Sequence, residues 1–282
     1  MERDMTDDSR PKRAAFFDLD RTLIPGSSLF LLARGLYARD MFRVRDMLRF
    51  GFGQMMFRLR GEQQRGMTRS RQSTLEFVKG RSQRELMAWG REIAEEQILP
   101  RVYRDIVDVI DGHRERDDLT FLVTAAPIEL AETLARHLHM TGAIATMSEI
   151  DDFGRYTGQL VGGVMHGPEK AKAIAETAAE HGIDLAECAA YSDSMNDLPL
   201  LESVGYPHAV NPEGELRKIA LTRGWPIHEL RTRRRALLIG IPAGLGGAAV
   251  FGGGIALGAW LERRRARSQA GPVERTANRW RL

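Results

Sequence analysis

The chain has 282 residues, which is enough for one large domain or two smaller ones with a real core. Its single cysteine, Cys188, excludes an internal disulfide, and the charged residues 1–13 lack a secretory signal, so we expect a cytoplasmic body. Residues 231–282 hold eleven arginines and two glutamates, a net charge of +9, while the whole chain has +3. Residues 1–230 therefore carry −6, and we expect no nucleic-acid partner.

The first predicted strand is the apolar run 14–17, which is followed directly by Asp18-Leu19-Asp20-Arg21-Thr22. The carboxyl ends of parallel strands face the ligand crevice, so both carboxylates would lie at its floor. A Mg²⁺ ion with oxygen ligands would offset their repulsion. One carboxylate can then attack a phosphorus atom while its neighbour moves protons. The alternative is a strand end with a solvated acidic turn.

Residues 28–117 contain no convincing strand, and apolar residues recur there at helical spacing. We expect an all-helical insertion between a first core segment, 14–27, and a second one, 118–222. In the second segment strands and helices alternate. Predicted strands cover 119–124, 144–147, a small hairpin within 153–161, 188–191 and 208–210. Predicted helices cover 127–139, 168–181, a stretch from about 195, and 213–222. This order predicts an α/β fold with a doubly wound parallel sheet and helices on both faces.

The C-terminal part differs in character, because residues 236–261 include eight glycines and no charge. Twenty-six such residues exceed the roughly 20 that cross a bilayer as a helix. We predict a C-terminal hydrophobic, transmembrane helix in contact with membrane lipid, between a basic linker, 223–235, and a basic tail, 262–282. A single crossing and a re-entrant segment both remain open, and a buried helix of a soluble protein is the alternative. The spacings Gly240-xxx-Gly244 and Gly254-xxx-Gly258 would allow a homodimer.

Three further polar stretches complete a predicted phosphate site. Thr124 ends its strand with a hydroxyl, and Lys170 lies in the first turn of its helix. The run Ser192-Asp193-Ser194-Met195-Asn196-Asp197 follows another strand. Asp193 suits direct contact with Mg²⁺, while Asn196 and Asp197 are better placed around the metal ligands.

These stretches resemble the four motifs of the haloacid dehalogenase superfamily, in its phosphoserine-phosphatase-like branch, which has a helical cap after the first strand. The motifs are residues 18–22, Thr124, Lys170 and residues 192–197, and the resemblance covers roughly residues 14–222.

The resemblance implies a role for each residue. Asp18 would form an aspartyl-phosphate, and Asp20 would protonate the leaving alcohol and then activate water. Thr124 and Lys170 would bind the phosphoryl group. The cofactor would be Mg²⁺, held by the carboxylates of Asp18 and Asp193 and by the backbone carbonyl of Asp20.

The substrate-binding candidates are Thr124, Lys170, Arg21 and Ser27, for a small phosphorylated substrate. Phosphoserine phosphatases carry a glutamate nine residues after the nucleophile, where this chain has the uncharged Ser27. We therefore predict that L-phosphoserine is a poor substrate.

The sequence favours a Mg²⁺-dependent phosphomonoester hydrolase tethered to the inner face of the cell membrane. The alternatives are a soluble amino-acid phosphatase and a non-catalytic phosphate-binding regulator. His113 and Asp118 match the His-x4-Asp pattern of glycerolipid acyltransferases, which we interpret as chance because no separate domain surrounds them.

Overall fold

Among the residues that the structure describes, the sheet has seven strands in the order β4-β3-β2-β1-β5-β6-β7. The computed structural model describes residues 12–39 and 78–230. Pairing is parallel from β3 through β2, β1, β5 and β6 to β7, whereas β4 runs antiparallel to β3. The strands are β1 (Ala14–Phe17), β2 (Leu119–Pro127), β3 (Gly142–Ile150), β4 (Tyr156–Val161), β5 (Ala189–Ser192), β6 (Tyr206–Val210) and β7 (Ile227–His228).

Seven α-helices occur in the described residues. They are α1 (Ser28–Ala38), α2 (Gln83–Ile93), α3 (Arg104–Arg114), α4 (Ile128–His137), α5 (Pro168–His181), α6 (Leu198–Glu202) and α7 (Gly214–Arg223). A π-helical turn, Ala94–Ile98, and a 3₁₀ turn, Leu99–Arg101, connect α2 to α3, and short 3₁₀ turns cover Leu185–Glu187 and Met195–Asp197.

The central strand β1 explains why helices cover both faces of the sheet. Successive residues of a strand point to opposite faces. Ala15 and Phe17 therefore join one buried cluster, with residues of α3 and α4, while Ala14 and Phe16 join the other, with residues of α5, α6 and α7. Both phenylalanines are fully buried, and burying each side chain stabilises the fold by about 1.5–3 kcal/mol. The predicted α/β fold, with a mainly parallel sheet, is confirmed.

The hairpin next to the sheet edge differs from the prediction. We expected it within 153–161, but β4 pairs with β3, in the register Met147↔Val161, and the turn lies between them. The carboxylate of Asp151 closes this turn by accepting hydrogen bonds from the backbone N–H groups of Phe153 and Arg155. The predicted position was wrong because β3 is longer than its apolar part.

Two elements bear on the predicted boundaries. Helix α3 lies within the predicted insertion, 28–117, yet its Ile106 and Ile110 are in the same buried cluster as Phe17. Strand β7 lies within the predicted linker, 223–235, and pairs with β6, so the sheet continues past residue 222.

Part of the prediction falls outside the described residues. This applies to positions 40–77 of the insertion, to the predicted transmembrane helix, 236–261, and to the tail, 262–282. Within residues 12–39 and 78–230, no helix is long and apolar enough to cross a membrane.

Candidate active site

The predicted site residues meet at the carboxyl ends of three adjacent strands. Asp18 follows β1, Thr124 lies in β2, and Asp193 follows β5. Because β1 lies between β2 and β5, these residues are placed side by side. The backbone N–H of Asp18 also donates to the carbonyl of Tyr191, at 2.9 Å, which fixes the end of β1 against β5.

Lys170 links two of the predicted carboxylates. It is 2% exposed, and its Nζ lies 2.5 Å from Oδ1 of Asp18 and 2.8 Å from Oδ2 of Asp197. Burial disfavours the ammonium, but the two carboxylates outweigh this and raise the pKa of Lys170. Burial also raises the pKa of Asp18 to about 7, although Lys170 opposes that shift. The arrangement places a fixed positive charge against the predicted nucleophile.

Asp20 lies in the turn that follows β1. Its Oδ1 accepts a hydrogen bond from the backbone N–H of Ser28, at 2.8 Å. Burial raises the pKa of Asp20, and the hydrogen bond from Ser28 acts in the opposite direction. A carboxyl group with a raised pKa can carry a proton and give it up, as a general acid must do.

Arg21 approaches Asp193 from the same turn. Its φ of +64° lies in the left-handed region, which residues other than glycine rarely adopt. Its Nε lies 2.7 Å from Oδ2 of Asp193, and its Nη2 contacts Oε1 of Glu213. Burial raises the pKa of Asp193 to about 8, and the guanidinium of Arg21 opposes that shift. The predicted substrate-binding arginine is thus paired with acidic residues of the site itself.

The remaining predicted residues differ in their surroundings. Thr124 is 2% exposed, and its Oγ1 accepts from the N–H of Ala126, at 3.1 Å. Ser27 caps α1, where its hydroxyl accepts from the N–H of Phe30, at 3.4 Å. Asn196 is exposed, in the turn between β5 and α6. Thr124 therefore lies inside the site, whereas Ser27 and Asn196 are more exposed to solvent.

Comparison with known proteins assigns this chain to a family. The family model described as haloacid dehalogenase-like hydrolase matches residues 15–202. The chain belongs to this family. A phosphoserine phosphatase of Mycobacterium tuberculosis is 43% identical over 255 residues, which cover 90% of this chain and 82% of that protein. The family predicted from the sequence is confirmed.

Solved structures agree with this assignment. A protein of unknown function from Bordetella pertussis is 35% identical, with a TM-score of 0.70, and the match covers 79% of this chain and all of that one. A phosphoserine phosphatase in its apo form has a TM-score of 0.52 at 17% identity, with coverage of 82% and 100%. This second likeness shows a shared haloacid dehalogenase-like fold.

The residues present fit a divalent cation at this haloacid dehalogenase-like site. Oδ2 of Asp193 is buried and accepts no hydrogen bond from any described residue, although Nε of Arg21 lies 2.7 Å away. The charge of Asp18 also raises the pKa of Asp193. The described residues contain no cluster of three or more His, Cys, Asp or Glu side chains suited to a metal. Mg²⁺ needs only one or two carboxylates, since it keeps several waters.

Two residues that support this site received no role of their own from the sequence. The hydroxyl of Ser192 is buried and donates to Oδ2 of Asp197, at 2.7 Å, so it helps to orient the second partner of Lys170. Its place at the start of the polar run after β5 was an available signal. Glu213 pairs with Arg21 across 192 positions, and its N–H donates to the carbonyl of Asp193, at 3.0 Å. No local pattern indicates that contact.

Proposed function

We propose that this chain is a Mg²⁺-dependent phosphomonoester hydrolase that acts on a small phosphorylated substrate through a phosphorylated Asp18. The enzyme class, a phosphatase, is supported by the family and by the relative named phosphoserine phosphatase. The observation that carries the mechanism is the contact of the buried Lys170 with Asp18 and Asp197. A buried cation beside a carboxylate favours attack on a phosphoryl group, whose negative charge it also attracts.

In the first step, an oxygen of Asp18 attacks the phosphorus, and the bond from phosphorus to the leaving oxygen breaks. Asp20 donates its proton to that oxygen, so an alcohol leaves and Asp20 becomes a carboxylate. Its hydrogen bond from the N–H of Ser28 stabilises the new charge. Lys170 and the hydroxyl of Thr124 bind the transferring phosphoryl oxygens.

In the second step, the carboxylate of Asp20 takes a proton from a water molecule, whose oxygen attacks the phosphorus. The bond between Asp18 and the phosphoryl group breaks, inorganic phosphate forms, and Asp20 again holds its proton. The carboxylates of Asp18 and Asp193 and the backbone carbonyl of Asp20 would hold Mg²⁺, which would supply Lewis-acid stabilisation of negative charge on the phosphoryl group. Asn196 and Asp197 would lie around these ligands.

Phosphate release from a panel of phosphomonoesters tests this mechanism. Asp18→Asn should abolish release, because an amide cannot act as the nucleophile. Asp152→Asn is the matched control, since Asp152 is an exposed aspartate in the turn between β3 and β4. Hydrolysis by Asp18→Asn at a rate close to that of the wild type would contradict the proposal.

The leaving group is a separate question, for which two candidates exist. The name of the M. tuberculosis relative favours phosphoserine. Against this, Ser27 has no charge to meet a substrate ammonium, and its hydroxyl is engaged as the cap of α1. We therefore propose a phosphomonoester other than L-phosphoserine. A value of kcat/KM for L-phosphoserine well above those of other phosphomonoesters would overturn this choice in favour of L-phosphoserine.

We also propose that the catalytic body is cytoplasmic and associates with the inner face of the cell membrane through residues 236–261. The support is the uncharged run of twenty-six residues, flanked by arginines that attract anionic lipid. The Gly-xxx-Gly spacings would allow that segment to form a homodimer. Fractionation of cells without detergent at low salt tests the association. Recovery of the full-length chain in the soluble fraction would contradict it and favour a buried helix.

A further inference from the structure

Tyr191 contacts the predicted nucleophile through its backbone, and its side chain is held from several sides. Its carbonyl accepts from the N–H of Asp18, at 2.9 Å. Its ring stacks on Phe17 with centroids 4.6 Å apart, and on His208 with centroids 4.5 Å apart. The residue is 4% exposed. The nucleophile is therefore attached to a strand position whose side chain has little freedom to move.

The hydroxyl of Tyr191 extends this arrangement to α3 and the loop after it. It lies 2.9 Å from Nε2 of His113, whose Nδ1 lies 2.9 Å from Oδ2 of Asp118. Arg13 and Arg116 flank the same carboxylate, at 2.9 and 3.4 Å. The His-x4-Asp spacing, interpreted above as chance, thus joins two residues in one buried chain of hydrogen bonds.

The groups around the ring of His113 are compatible with either neutral tautomer. Nδ1 lies 2.9 Å from Oδ2 of Asp118, which can only accept, and 3.0 Å from Nη2 of Arg116, which can only donate. Burial lowers the pKa of His113, which favours the neutral ring. The hydroxyl of Tyr191 can donate to Nε2 or accept from it, so the bond between Tyr191 and His113 forms with either tautomer.

We propose that Tyr191, held by His113 and Asp118, is a positioning residue that fixes Asp18 against the loop that carries Asp193. This inference rests on the proposed function, in which Asp18 is the nucleophile. The next residue in β5, Ser192, points to the opposite face and reaches Asp18 through Asp197 and Lys170. Two consecutive residues of β5 thus connect to the nucleophile by separate routes.

The hydroxyl is the part of Tyr191 that packing does not explain. A phenylalanine would form the same ring stack on Phe17 and His208, whereas only a hydroxyl can bond to His113. This directional hydrogen bond fixes β5 relative to α3, which stacked rings alone do not. A small displacement of a reacting group lowers the rate of the chemical step more than it weakens substrate binding.

The experiment compares Tyr191→Phe, His113→Leu and the double variant with the wild type, using para-nitrophenyl phosphate. We expect Tyr191→Phe to lower kcat about tenfold, with KM and inhibition by inorganic phosphate unchanged within twofold. The double variant should lose little more than either single variant, because both remove the same hydrogen bond. The matched control is Tyr156→Phe, which removes another buried tyrosine hydroxyl bond, to Glu129 at 2.5 Å.

Thermal unfolding separates positioning from general stability. Tyr191→Phe and Tyr156→Phe should lower Tm by similar amounts, while only the former lowers kcat. A kcat for Tyr191→Phe within twofold of an active wild type would overturn the positioning role and leave the proposed function intact. An equal loss of kcat in Tyr191→Phe and Tyr156→Phe would also overturn the positioning role. A wild type that releases no phosphate from any phosphomonoester would instead overturn the proposed function.

Discussion

Nζ of Lys170 lies 2.5 Å from Oδ1 of Asp18, although 152 positions separate the two residues in the chain. Pro168 in the first turn of α5 and the position of that helix against the sheet deliver the lysine to the end of β1. Both side chains are almost fully buried, so removing either partner leaves an uncompensated buried charge and destabilises the fold.

Replacing this lysine should affect both activity and stability. Lys170→Met leaves two buried carboxylates without their cation, so we expect phosphate release to fall at least about 100-fold. The free energy of unfolding should fall by about 3 kcal/mol, as when a buried pair loses one partner. Steady-state kinetics and urea unfolding measure the two effects. Lys172→Met is the control, because Lys172 is an exposed residue of the same helix. Equal rates of phosphate release and equal free energies of unfolding in the two variants would contradict a role for the buried contact.

Ser192→Ala tests the contribution of the buried hydroxyl that bonds to Asp197. The variant removes the hydroxyl that donates to Asp197, so we expect kcat to fall about tenfold, because Asp197 is no longer held toward Lys170. Ser203→Ala is the control, since the hydroxyl of Ser203 donates to a helix carbonyl, that of Leu200, away from Asp197. An unchanged kcat in Ser192→Ala would mean that Lys170 alone orients Asp197.

Arg21→Gln tests whether the arginine competes with a cation for Asp193. The guanidinium lies 2.7 Å from Oδ2 of Asp193, so its removal should lower the Kd for Mg²⁺ several-fold. Calorimetric titration with Mg²⁺ in the absence of substrate measures this directly. Arg217→Gln is a matched control, because Arg217 has similar exposure and pairs with Glu229. An unchanged or higher Kd in Arg21→Gln would rule out competition.

His208 should make stability depend on pH. Burial lowers its pKa from 6.5 to about 4, with His228 and His113 adding to the shift. Between these two pH values the unfolded chain binds a proton at His208 that the folded chain does not. The free energy of unfolding therefore falls as the pH falls from 6.5 to 4. His208→Phe keeps a ring beside Tyr191 and removes this titration. The variant should gain stability relative to the wild type from pH 6.5 down to 4, measured by urea unfolding. A difference in the free energy of unfolding between the two proteins that does not change with pH would contradict the lowered pKa of His208.

The local parts of the site were predictable from the sequence, and the long-range parts were not. Helix α5 has the predicted bounds, 168–181, because Pro168 and Gly182, with φ of +65°, mark its ends within the sequence itself. Asp18 and Asp193 were identified because each follows an apolar strand. The contact from Arg21 to Glu213 joins residues 192 positions apart and depends on the strand order, which no local pattern contains.

The same distinction applies to the fold. Alternating strands and helices predicted a parallel sheet, but the order with β1 in the centre depends on pairing between distant segments. The hairpin of β3 and β4 was misplaced because the polar residues Ser148 and Glu149 interrupt the apolar run before β3 ends. Strand β7 has two residues, too few to show a period.

The most direct test of the central claim is detection of a phosphoryl group on Asp18. Asp20→Asn should accept the phosphoryl group from para-nitrophenyl phosphate, whose leaving group needs little protonation, but should release it slowly. Mass spectrometry of the quenched and digested variant should then find one added phosphoryl group on the peptide that contains Asp18. Its absence from that peptide, while para-nitrophenol is released, would contradict the account, as would a phosphoryl group on another residue.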